Sequence, residues 1–133
     1  VAQPQLLRER IYTALWTDGD WPNLVPGELW QYSSFDQVPE TKPFAVIRWD
    51  FGQSGIVHRG IGSTKAFSIW AHDIPGDYVR IDQILDRAQQ ILEALLNEDD
   101  FLECRRLDTS PDLEDPEMGT ILRYSRFGVV TTS

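Results

Sequence analysis

The sequence predicts an α+β domain: an antiparallel or mixed sheet of two hairpins packed on one long helix, with a further helix at the N-terminus. Three observations carry that expectation. Residues 78–97 hold an apolar stripe at helical spacing. Segments 43–51 with 64–72, and 101–108 with 120–130, are rich in β-branched and aromatic residues and are bounded by turn formers. The chain has 133 residues, of which 41% are hydrophobic and 25% charged, which suits one globular domain spanning 1–133.

Each element follows from local chemistry. The first helix, 4–16, opens on Pro4, whose missing N–H is harmless in a first turn. Leu7, Ile11, Ala14 and Leu15 recur at helical spacing, and Gly19 offers a left-handed cap after it. From 21 to 42 prolines alternate with aromatics; Leu29–Tyr32 suits a short strand and the rest ordered coil. PFAVIRWDF (43–51) and TKAFSIWAH (64–72) then read as paired strands. The arm between them, GQSGIVHRGIGS at 52–63, carries Ile56, Val57 and Ile61 but is too glycine-rich to build a core of its own. Asp77 is placed to cap the long helix, where Ile81, Ile84, Leu85, Ala88, Ile91 and Leu92 line one face. The last two strands are joined by an acidic loop, TSPDLEDPEM at 109–118.

Strand alternation places Phe44, Val46 and Arg48 on one face of the sheet and Ala45, Ile47 and Trp49 on the other, with Trp70 opposite Phe67 and Ile69. One helix covers one face, so a second cover is expected, either from the N-terminal helix or from another subunit. Trp49, Trp70, Ile56, Val57 and Ile61 are the candidate contacts of such an interface.

Composition narrows the functions. No apolar run reaches the ~20 residues of a membrane span and no signal-peptide pattern opens the chain, so a soluble protein without membrane contact is expected. The net charge of −9 disfavours non-specific adhesion to nucleic acid or anionic lipid. The single cysteine, Cys104, excludes an internal disulfide and a cysteine-rich zinc site. With two histidines and no nucleophile elbow, no catalytic residue, metal ligand or cofactor site is expected, and the chain does not read as an enzyme. His72, Asp73 and Asp77 cluster in one turn; helix capping and turn formation account for them more simply than a metal does. From Glu98 to Glu117 nine acids face only Arg105 and Arg106. This concentrates negative charge in the second hairpin, chiefly at Asp112, Glu114, Asp115 and Glu117.

The run Phe67-Ser68-Ile69-Trp70-Ala71-His72-Asp73-Ile74-Pro75-Gly76-Asp77-Tyr78, continuing into Arg80-Ile81-Asp82 and preceded by PFAVIR at 43–48, resembles tail terminator proteins of long, non-contractile-tailed bacteriophages, the actinobacteriophage type. The likeness runs from about Pro43 to the chain end and is one of pattern only before that. It implies a structural virion protein of the tail neck, assembled in the host cytoplasm. It also implies a homo-oligomeric, hexameric ring that caps the tail tube, stops its polymerisation and offers the surface on which the head docks. Its partners would be the tail tube protein and a head-completion or connector protein, with DNA passing through the lumen without specific binding. The acids at 112, 114, 115 and 117 would then face the lumen or form a docking face for a basic partner, and both readings stay open. A head-closure or connector protein of the same assembly is the near alternative, and an acidic DNA-mimic inhibitor is another. A small metal-dependent hydrolase at His72, Asp73 and Asp77 has the least support.

Overall fold

The computed structural model describes residues 4–27, 29–31, 41–49, 57–58, 62–95 and 101–131. Helices α1 (Pro4–Trp16), α2 (Trp21–Leu24) and α3 (Val79–Glu93) pack on one face of a mixed sheet. Its strands are β1 (Leu29–Gln31), β2 (Phe44–Trp49), β3 (Val57–His58), β4 (Gly62–Asp73), β5 (Phe101–Thr109), β6 (Leu113–Asp115) and β7 (Thr120–Thr131). The main order is β1-β2-β4-β7-β5, with β1 parallel to β2 and every other pairing antiparallel. This is the expected α+β fold, built on the two expected hairpins.

Register fixes the two faces. Ala45 lies opposite Ala71, Ile47 opposite Ile69 and Trp49 opposite Phe67, while Phe67 also faces Phe127 across β7. These side chains meet Ile81, Ile84, Leu85, Ala88 and Leu92 of α3 in one buried core. The reverse face carries Phe44, Val46, Trp70, His72, Leu122 and Tyr124, which the same registers bring side by side.

Several local expectations change. The N-terminal helix does not cover the reverse face; Ile11 and Leu15 join the core beside α3, with Trp21 of α2 and Val25. Apolar residues on α1 do better there, because α3 alone is too narrow to cover a sheet of this width. Gly19 does not adopt the left-handed conformation; the described glycine that does is Gly119, at φ 66° in the turn before β7. The corner between α1 and α2 is made instead by Asp18, whose Oδ2 accepts the N–H groups of Asp20 at 3.1 Å and Trp21 at 3.0 Å. The long helix begins one residue late, after Tyr78, and Asp77 Oδ1 accepts the Val79 N–H at 3.1 Å rather than occupying the cap position itself.

The segment expected as an acidic loop contains β6. Strand β7 outruns β5: Ser125 to Thr131 pair with β5, which leaves the edge at Thr120 to Leu122 open. Unmet backbone groups there are satisfied by Leu113, Glu114 and Asp115. Gly27 marks a close approach of two chain segments. Its N–H donates to the Pro43 carbonyl at 2.9 Å, and a Cβ on it would lie 2.1 Å from the Thr41 oxygen. Residues 32, 50–51 and 96–97, which the expected elements included, fall outside the described residues.

Candidate functional site

Two places hold some of the side chains singled out by sequence, and they adjoin at Asp115. The first is a cavity of about 470 Å³ on the sheet face away from the helices. Val46, Trp70, Met118 and Leu122 give it apolar walls, and Arg48, His72 and Asp115 supply its polar groups. Alternation in β2, β4 and β7 puts these residues on one side. The turn of residues 116–119 then swings Met118 onto the same surface.

His72 is 5% exposed. Its ring stacks on Phe44, with centroids 4.6 Å apart and planes 10° from parallel, and Nδ1 lies 2.9 Å from the Thr120 hydroxyl. Burial pushes its pKa down to about 4, only partly opposed by the Asp115 carboxylate, so the ring is neutral near pH 7. Trp70 stacks on Tyr124 at 4.4 Å, and its Nε1 donates to Ser68 Oγ at 2.9 Å.

Alternation also separates His72 from Asp73, and Asp77 lies beyond the end of β4. His72 faces the cavity; Asp73 lies on the helix side, accepts the Ile74 N–H at 2.8 Å and sits 3.8 Å from Arg80. Among the described residues no three His, Cys, Asp or Glu side chains converge as a metal site would require.

The second place is the acidic segment, whose four acids have different surroundings. Asp115 is half-buried, and its Oδ1 accepts the N–H groups of Glu117 and Met118, each at 3.1 Å, closing the turn before β7. Asp112 is exposed, 3.5 Å from Arg123, which is also paired with Asp82 of α3. Glu114 and Glu117 are exposed. Tyr78 ties the segment to the start of α3 by donating its hydroxyl to the Leu113 carbonyl at 2.9 Å. Desolvation and then the carboxylates of Asp112 and Glu114 push its phenol pKa upward.

The other sequence candidates are dispersed. Trp49 ends β2 on the helix side, half-buried against the core, with its ring 5.5 Å from Phe67. Trp49 and Trp70 therefore lie on opposite faces of the sheet. Val57 belongs to β3, opposite Ser63, while Ile56 and Ile61 lie outside the described residues. Met118, Leu122 and Tyr124 were not singled out by sequence. For Leu122 and Tyr124 the signal was available in the alternation of β7; for Met118 it was not, because turns have no period.

No protein-family model matches the chain, and no curated protein matches its sequence. Among solved structures, gp17 of bacteriophage SPP1 superposes with a TM-score of 0.62 at 12% identity. The match covers 95% of this chain and 88% of that one. The fold is shared with a bacteriophage protein. At that identity the likeness is one of backbone architecture alone. No helix among the described residues is long and apolar enough to cross a membrane.

Proposed function

We propose that the chain is a structural virion assembly protein that forms a ring, most simply a hexamer, on the end of a phage tail tube, stops its growth and presents the surface on which the head docks. The observation that carries this reading is the fold shared with bacteriophage gp17 along nearly the whole of both chains. The sequence pattern from Pro43 through Asp82 points the same way. The chain works by shape and charge, without a catalytic centre, and its partners are copies of itself, the tube protein and a head-completion protein.

Two physical features support it. Ring formation needs two different surfaces that fit each other, and this sheet has a helix layer on one side and, on the other, a cavity with apolar walls and three polar groups. A channel for DNA needs walls that do not hold phosphates, and the outward acids Glu114 and Glu117 repel them. The same acids would serve a basic docking partner.

The test is tube growth. Purified tail tube protein is polymerised with and without this chain, followed by light scattering and negative-stain imaging. Six-fold rings at tube ends and arrested elongation are expected. Unchanged growth at saturating chain, with bare tube ends, overturns the reading. A strict monomer that ignores tubes but binds a basic DNA-handling protein replaces it with the acidic inhibitor.

A further inference from the structure

We propose that the cavity on the sheet face away from the helices receives the Trp16 indole of a second copy of this chain, so that copies join head to tail. The inference deepens the ring reading and rests on it.

The cavity sets the requirements. Its walls at Val46, Trp70, Met118 and Leu122 ask for an apolar occupant, and about 470 Å³ is ample room for an indole ring. One face of Trp70 is already taken by Tyr124, which holds the wall rigid. His72 adds a polar requirement. Its Nδ1 is engaged by Thr120, and its other ring nitrogen has no hydrogen-bond partner among the described residues. In the tautomer that donates from Nδ1 to the Thr120 oxygen, Nε2 is an acceptor waiting for an N–H. Because burial keeps the ring neutral near pH 7, that lone pair is available.

The chain carries a side chain of this description. Four large apolar side chains are well exposed among the described residues: Trp16 at 46%, Ile74 and Val79 at 59%, and Leu107 at 53%. Of these only Trp16 joins an apolar body to a hydrogen-bond donor. It closes α1, in the layer opposite the cavity. One copy therefore cannot fill its own cavity, and a contact between Trp16 and the cavity joins unlike surfaces. Such a heterologous contact repeats from copy to copy and closes into a ring when its rotation permits. It would also set a helix layer over the sheet's second apolar face, the cover that the alternation of β2 and β4 calls for.

The test uses the full chain in sedimentation and light scattering across concentration, with circular dichroism to verify folding. Trp16→Ala is expected to weaken self-association by about tenfold or more, as loss of a buried aromatic anchor does. Trp16→Phe, which keeps the ring and removes the N–H, falls between it and wild type. Met118→Arg, which blocks the cavity, is expected to match Trp16→Ala. An equimolar mixture of Trp16→Ala and Met118→Arg has one intact contact and is expected to give 1:1 dimers that grow no further. Should Met118→Arg fail to fold, the graded order of wild type, Trp16→Phe and Trp16→Ala decides. Rings that persist unchanged in Trp16→Ala overturn this contact and leave the ring reading intact. A wild-type chain that stays monomeric at millimolar concentration also overturns it, and the ring reading is then judged on tube growth alone.

Discussion

His72 shows how much a single buried side chain can set. An unfolded histidine titrates near 6.5, whereas this one, stacked on Phe44 and bonded to Thr120, titrates at about 4. Between those values the unfolded chain binds more protons than the folded one. Stability is therefore full above pH 6.5, falls as pH drops, and below pH 4 is lower by on the order of 3 kcal/mol. Urea unfolding at pH 7, 5.5 and 4 of wild type and His72→Gln isolates this, because Asp18 and Asp108, held low by Arg87 and Arg126, lose their contributions only below the usual carboxylate range and do so in both proteins. Equal pH slopes for the two proteins would show that the histidine is not the titrating group. The sequence places His72 at the end of a strand, in a turn with Asp73 and Asp77, and nothing in it signals burial. Its burial depends on Phe44 and Thr120, which are 28 and 48 residues away and reach it only through the registers of β2 and β7.

Between elements, the corner of α1 and α2 depends on one carboxylate. Asp18 accepts the N–H groups of Asp20 and Trp21, and also meets Arg87 of α3 through Nε at 3.0 Å and Nη2 at 2.6 Å. The guanidinium bonds, more than any other cause, hold its pKa below the usual carboxylate value. Asp18→Ala removes all four bonds and is expected to cost about 2 kcal/mol in chemical unfolding, whereas Arg87→Ala leaves the corner's backbone bonds in place and is expected to cost about half that. Equal losses from the two substitutions would mean that the backbone bonds contribute nothing. Elements with a clear period were legible: α1, α3 and the four long strands appear where apolar spacing and alternation put them, to within a few residues. Helix α2 and strand β6 were not. Four residues are too few to show a helical period, and Leu113–Asp115 becomes a strand only because β7 extends past β5 and offers it an open edge.

At the scale of the molecule, stability is concentrated where the sheet meets the helices. Phe67 is fully buried at that junction, with Phe127 stacked at 5.4 Å on one side and Trp49 tilted against it on the other. Phe67→Ala is expected to cost about 3–5 kcal/mol in denaturant unfolding, and a loss below 1 kcal/mol would mean that the core refills the gap. The same organisation explains the division between sequence and structure. By itself the sequence determined the α+β class, the pairing of the hairpins, the helix that covers the sheet and the acidity of the second hairpin, because these follow from local propensity, period and charge. The tertiary structure alone decided that α1 joins the helix layer instead of covering the reverse face, that Trp49 and Trp70 part to opposite sides, and that Asp115 closes a turn while Glu114 and Glu117 stay exposed. It also decided that His72, Met118 and Leu122 share a cavity. Each of these depends on strand register and on which edge remains open, and those are settled only when residues far apart in the chain compete for the same neighbours.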